Sequence, residues 1–306
     1  MPTYFATQSE SACATLAPPR PIQILRAAHL GMCFGVRNAI ALARREAAAA
    51  PFTLLGDLVH NETVLADLRR RGVVMERNPA VVATATVMIT AHGASQRTLC
   101  QLRERGLRVL EATCPLVRHA QRCARELAEA GCHPVIVGQR EHVEVRGVTE
   151  DLDNFDVVLT PDDVSRLAER ARFGVVAQTT QPIEKARSLA ALIQRRFPRS
   201  EVRFVDTVCR PTKQRQAAAV ELARHADVVV VIGGAQSNNT HELAATCRRF
   251  CGRVHHVQAP EDLQPEWFAG AATVGITAGT STPDAVIEAV EHRLRELANE
   301  LSAHAL

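Results

Sequence analysis

Short apolar runs rich in valine and isoleucine recur along the chain, and longer segments with apolar residues at helical spacing separate them. The runs at 22–28, 52–56, 85–90, 134–137, 174–177, 202–208, 227–232 and 273–277 read as strands, and Val109 and Leu110 close another. The stretches 36–49, 62–71 and 212–225 read as helices, as do those ending at Arg105 and Arg196 and the C-terminal segment. Strands alternating with helices predict an α/β fold of mainly parallel sheets with right-handed crossovers.

Three of the strand-to-helix junctions carry a cysteine: Gly31-Met-Cys-Phe-Gly35, Ala112-Thr-Cys-Pro115 and Thr207-Val-Cys-Arg-Pro211. Pro115 suits the first position of a helix, where its missing N–H costs nothing. A thiol there sits at the positive end of a helix dipole, where it loses its proton most readily. Cys33, Cys114 and Cys209 stand 81 and 95 residues apart, so the chain divides into three units of similar length. Each unit then offers one cysteine junction and two strand–polar-loop junctions, facing one shared centre at the carboxyl ends of the strands. The boundaries expected are 34–114, 115–207, and 208–306 joined by 21–33, after a loose leader at 1–20 with no function.

Three separated thiolates fit an iron–sulfur cluster with one iron left without a protein ligand. Zinc-binding cysteines usually come as close pairs. The nearest such pair, Cys247 and Cys251 with His255 and His256 beyond, lies one helical turn apart among apolar residues and reads as packing. Cys13, Cys100, Cys123 and Cys132 read as leader or packing residues. His241-Glu-Leu-Ala-Ala lacks a second histidine, because Ala245 stands in its place.

The remaining loops hold small and hydroxyl residues, with His60, His92 and His142 near strand ends. Single loops such as Gln178-Thr-Thr, Ser237-Asn-Asn-Thr and Gly279-Thr-Ser-Thr would be helix caps. Their repetition, together with three histidines, favours a shared phosphate site built from loop hydroxyls and N–H groups. No P-loop and no G-x-G-x-x-G after a strand is present, so neither familiar nucleotide site is supported.

Composition narrows the class. The 306 residues are 46% hydrophobic and 23% charged, with a net charge of +3, and no apolar run is long enough to span a membrane. Eleven aromatic residues are too few for stacking platforms, so nucleic acid is not an expected partner. Nine cysteines, an odd number without a secretory apolar segment, point to a reduced, cytoplasmic setting.

Gly31-Met-Cys-Phe-Gly-Val, Val59-His-Asn, Ala91-His-Gly-Ala-Ser, Ala112-Thr-Cys-Pro-Leu-Val, His142-Val-Glu-Val-Arg-Gly, Gln178-Thr-Thr, Asp206-Thr-Val-Cys, Ser237-Asn-Asn and Gly275-Ile-Thr-Ala-Gly-Thr-Ser-Thr-Pro-Asp occur in that order. Together they resemble the 4-hydroxy-3-methylbut-2-enyl diphosphate reductase family, the last step of the methylerythritol phosphate route to isoprenoids, over residues 22–300. The resemblance implies a trefoil of three α/β domains around a [4Fe-4S] cluster held by Cys33, Cys114 and Cys209. It also implies that His60, His92, His142, Ser237, Asn239 and Ser281 grip a diphosphate. Glu144 would deliver protons, Thr179 would orient it and the substrate hydroxyl, and His142 would also lie near that hydroxyl. Two electrons would come singly from an external donor of the ferredoxin or flavodoxin type.

Several positions depart from the family's commoner pattern. Asn238 stands where a second serine is usual, so it joins the candidate substrate-binding residues with one diphosphate contact altered. Leu30, Val143, Arg146, Arg210, Pro211 and Gln214 also differ, flanking the expected chemistry. Two other readings use the same centre: a non-redox cluster that hydrates or dehydrates a phosphorylated substrate, and a cluster-based sensor without turnover. Glu144 and Thr179 argue against the sensor, which needs no proton donor. Glu144 follows His142 by two residues, and an extended segment would point both side chains the same way.

Overall fold

The computed structural model of the chain describes residues 22–59 and 61–304. The expected leader, Cys13 and His60 lie outside the described residues. The chain opens with β1 (Gln23–Arg26) and α1 (Phe34–Ala49). A first group follows: β2 (Thr53–Leu55), α2 (Glu62–Arg70), β3 (Val74–Glu76), β4 (Thr86–Ile89), α3 (Gln96–Glu104) and β5 (Arg108–Glu111). After α4 (Pro115–Glu129) comes a second: β6 (His133–Val137), α5 (Val143–Thr149), β7 (Asp156–Val158), α6 (Pro161–Ser165), β8 (Arg172–Ala177), α7 (Ile183–Arg196) and β9 (Glu201–Phe204). After α8 (Arg210–His225) the third comprises β10 (Val228–Ile232), α9 (Asn238–Arg248), β11 (Val254–Val257), β12 (Thr273–Ala278) and α10 (Asp284–His304).

These strands form three four-stranded sheets, all parallel, with orders β3-β2-β4-β5, β7-β6-β8-β9 and β11-β10-β12-β1. The N-terminal strand thus completes the sheet of the C-terminal third: Gln23 pairs with Thr273 and Arg26 with Ile276. In every sheet the cysteine follows one edge strand, β1, β5 or β9. The polar loops follow the two central strands, where the order reverses and crevices open.

The sheets are buried on both faces, which explains their unbroken apolar runs. In β10 all five residues are buried. Val228, Val230 and Ile232 pack with Ile287, Val290 and Leu294 of α10, while Val229 and Val231 meet Ala219, Leu222 and Leu243 of α8 and α9. The other edges, β3, β7 and β11, do not stand out in the sequence because they are short and part exposed; Val74 is 49% exposed. Two further differences concern the site. The segment read as a loop over 138–147 contains the start of α5, and the strand read to Val208 ends at Phe204, leaving 205–209 as a connection into α8.

Cys123, Cys132, Cys247 and Cys251 are buried in apolar clusters, as packing residues should be. Cys100, read with them, is instead exposed on α3. His255 stacks on Trp267 with ring centroids 4.0 Å apart, and the His256 Nε2 faces the Gly233 carbonyl at 2.9 Å.

Candidate active site

One backbone contact recurs at all three cysteine junctions. The Cys114 N–H donates to the Ala91 carbonyl (3.0 Å), that of Cys209 to Thr179 (3.0 Å) and that of Cys33 to Thr280 (3.3 Å). Each edge-strand cysteine is thereby tied to the loop leaving the neighbouring central strand. Those loops carry His92, Thr179 and Ser281. The pairing follows from the parallel register, since the edge strand and its neighbour end side by side.

Each cysteine is the residue immediately before its helix. Gly35 lets α1 close in: a Cβ there would stand 2.9 Å from the Cys114 sulfur and 4.0 Å from that of Cys33. Cys209 and Cys114 each sense the charge of Cys33 and of Glu144, so the three thiols and one carboxyl share a single centre. Among the described residues no three His, Cys, Asp or Glu side chains close around one metal ion. A set of three soft sulfurs spread about a common centre suits a polynuclear cluster with thiolate ligands. For Cys114 and Cys209 the expected easy deprotonation is overturned. Burial pushes the Cys114 thiol above its ordinary value and Cys209 up to about 11, outweighing the N–H groups of Leu116, Val117 and Thr212 that face them. Protons would leave these sulfurs when a cation replaces them.

Glu144 is 1% exposed. Its Oε1 accepts from the Thr179 N–H at 2.6 Å and its Oε2 from the Thr179 hydroxyl at 3.1 Å. Burial raises its pKa to about 7 although both Thr179 bonds favour the carboxylate. The carboxyl is therefore poised to exchange a proton near neutrality. The route by which it arrives differs from the extended segment expected. His142 caps α5, its Nδ1 accepting from the Glu144 N–H at 3.1 Å, and Glu144 sits in the first helical turn. With Nδ1 accepting, the neutral ring carries its proton on Nε2.

The structure assembles the other candidates into two groups. His92 and His142 meet edge-to-face, ring centroids 5.4 Å apart, joining the first two sheets. In the third, Ser237 caps α9 through Thr240 N–H, and Asn238 and Asn239 follow it, all nearly buried. The Gly279 N–H and the Thr282 hydroxyl both donate to the Ile232 carbonyl, which holds the Ser281 loop beside this one. The Ser281 hydroxyl and the amide nitrogens of Asn238 and Asn239 are buried with no hydrogen-bond partner among the described residues. Buried donors of this kind call for an acceptor. A cavity of about 400 Å³ borders His142, Val143, Arg146, Gly93 and Gln236, between loops of all three sheets. Among the described candidates only His142 lines it, beside Val143 and Arg146.

Sequence reasoning missed two residues on the helices that follow cysteines. Gln121 of α4 is buried, and its amide donates to the carbonyls of Ala94 and Gly147, bridging the loop after β4 and helix α5. Arg215 of α8 is equally buried and reaches back to the carbonyl of Gly31. A lone polar residue on an amphipathic helix carries no signal of its own; only the partner across the fold marks it.

The profile of the LytB protein family matches residues 24–295. A 4-hydroxy-3-methylbut-2-enyl diphosphate reductase of Pelobacter propionicus is 35% identical over 278 residues, 90% of this chain and 99% of its own length. The reductase of the same name from Aquifex aeolicus is 35% identical, covering 90% and 97%, and that of an Anaeromyxobacter species 38%, covering 87% and 95%. A solved structure of (E)-4-hydroxy-3-methyl-but-2-enyl diphosphate reductase, described as the terminal enzyme of the non-mevalonate pathway, superposes with a TM-score of 0.65 at 35% identity, covering 90% of this chain and 99% of that one. The Plasmodium falciparum reductase, at 23% identity, shares the fold with a TM-score of 0.82 over 88% of this chain and 86% of its own. The chain is a member of the LytB protein family and, like the reductases it resembles, an oxidoreductase.

Proposed function

We propose that the chain removes the C4 hydroxyl of 4-hydroxy-3-methylbut-2-enyl diphosphate reductively, giving isopentenyl and dimethylallyl diphosphate. The observation that carries this reading is the buried Glu144 carboxyl, titrating near neutrality, at the centre where three thiols meet. The reaction breaks one C–O bond and forms one C–H bond, consumes two electrons and two protons, and releases water. Cys33, Cys114 and Cys209 would hold a [4Fe-4S] cluster, which when bound supplies a Lewis-acidic iron and a relay for single electrons from an external ferredoxin- or flavodoxin-type donor.

The chain's own residues do the rest. Thr179 aims the Glu144 carboxyl with its N–H and hydroxyl, and Glu144 gives its proton to the departing hydroxyl. His142 presents an Nε2 donor toward the substrate, and His60 and His92 join it at the diphosphate. Ser237, Asn238, Asn239 and Ser281 face the diphosphate from the third sheet, its oxygens answering the open donors of Asn238, Asn239 and Ser281. Asn238 supplies an amide donor in place of the usual serine hydroxyl. The described cysteines are free thiols, which suits a reducing compartment such as the cytoplasm. Among the described residues no helix is long and apolar enough to cross a membrane.

The test is an anaerobic assay of the reconstituted chain with reduced viologen and the diphosphate substrate. Viologen oxidation coupled to formation of both products is the expected result. Substrate consumption without viologen oxidation would replace the reductase by a hydratase, and a redox-active centre without turnover would replace it by a sensor.

A further inference from the structure

Arg215 lies in the second turn of α8, six residues beyond Cys209, and is 7% exposed. Its Nε and Nη2 donate to the Gly31 carbonyl at 2.9 and 2.5 Å, and its Nη1 donates to the Pro211 carbonyl at 3.1 Å. Gly31 stands two residues before Cys33, so one guanidinium joins the helix after Cys209 to the turn that delivers Cys33. Among the described residues Arg215 makes no ion pair with any carboxylate. A guanidinium keeps its charge, and a buried cation without a counter-charge is costly. Arg37, at the edge of the same region, has Asp284 as its partner, with both terminal guanidinium nitrogens on the carboxylate. The negative charges that Arg215 senses are those of Cys33 and Cys209.

We propose that Arg215 is the built-in counter-charge of the thiol centre and the positioning residue that sets Cys33 against Cys209. The inference rests on the reading of these thiols as cluster ligands. A centre that takes up an electron becomes more negative, and a buried cation beside it favours that reduced form. The forked guanidinium also does what an ammonium does not: two of its N–H groups hold one carbonyl in a fixed direction. Charge and geometry can therefore be separated by substitution.

The experiment compares the full-length chain with Arg215→Met and Arg215→Lys after anaerobic reconstitution with iron and sulfide. Three quantities are read: the midpoint potential by redox titration followed by electron paramagnetic resonance, the rate of iron loss to a chelator, and the thermal midpoint with and without the cluster. In Arg215→Met the equilibrium for accepting one electron should fall about tenfold, a shift of about 59 mV to lower potential for a one-electron couple. Iron loss should quicken, and the drop in thermal midpoint should be larger with the cluster than without. Arg215→Lys should recover the potential but not the iron retention. An unmoved potential in Arg215→Met, or equal destabilisation of both forms, would make Arg215 an ordinary structural residue and overturn the proposal. If Arg215→Met does not fold, Arg215→Lys decides: iron retention equal to that of the unmodified chain overturns it. An unmodified chain that takes up no cluster would bring down the functional reading as well, so the two failures are distinct.

Discussion

A carboxyl group that is 1% exposed and still bonded twice to Thr179 is under opposed demands, and burial prevails. Glu144→Gln keeps the shape and a hydrogen-bonding capacity but has no carboxylic proton to give. Turnover should fall at least about a hundredfold, the scale of a lost general acid, while iron content and substrate binding stay near normal. Comparable turnover in a steady-state assay would remove Glu144 from the proton path and bring His142 forward. The same group gives a stability signature. Its folded pKa of about 7 lies above the ordinary 4.5, so the folded chain holds this proton more tightly than the unfolded chain does. The resulting stabilisation is complete below the ordinary value and is lost as pH rises through about 7, an effect on the order of 3 kcal/mol. Urea unfolding of the cluster-free protein should show the unmodified chain losing more stability between pH 5 and pH 8 than Glu144→Gln does. Parallel pH dependences would show that the proton is not held.

At the scale of the element, the repeated unit is an edge strand, a cysteine and a helix laid beside a central strand and its loop. At Gly35 the first turn of α1 passes against Cys114. Gly35→Ala puts a methyl 2.9 Å from that sulfur, so helix or thiol must shift, at a cost of about 1–3 kcal/mol. Iron bound per chain, measured after reconstitution, should fall while helix content by circular dichroism does not. The loop before α10 makes a different prediction. Ser281→Ala removes a buried donor with no partner among the described residues, so folding should be little affected. A lost bond to a charged group is worth about 1.5–3 kcal/mol. KM should therefore rise by roughly tenfold or more, with kcat nearly kept.

At the scale of the molecule, polar ties join the three sheets. Gln96 and Arg97 N–H groups at the start of α3 donate to Asp151, and the Ser95 hydroxyl donates to Glu150, so the first two sheets' units are tied near His92 and His142. Lys185 meets Glu242 at 3.1 Å between the second and third, and Arg37 meets Asp284 between α1 and α10. Burial decides which ties matter. Arg37 and Asp284 are about half exposed, and such pairs contribute about 0–1 kcal/mol. Gln121 is 5% exposed, and Gln121→Ala leaves the Ala94 and Gly147 carbonyls short of a donor, a cost of about 1–3 kcal/mol. Urea midpoints should therefore move clearly for Gln121→Ala and hardly for Asp284→Asn; the reverse order would mean that the sheets are held from the surface.

Much of this arrangement was legible along the chain. Val228–Ile232 reads as a strand because a run apolar on both faces fits only a sheet covered on both sides. Cys33, Cys114 and Cys209 stand out because a strand ends and a helix begins around each, a local matter of chain direction and proline placement. The edge strands β3, β7 and β11 were not legible, since a strand of three or four residues is too short to show a pattern of its own. The helix that turns Glu144 inward was hidden in a stretch that reads as loop. Tertiary structure alone decided that Arg215 reaches Gly31. It also decided that burial, not the helix dipole, governs the thiols of Cys114 and Cys209. These outcomes depend on which distant groups exclude water around a residue, and sequence neighbours carry no record of that.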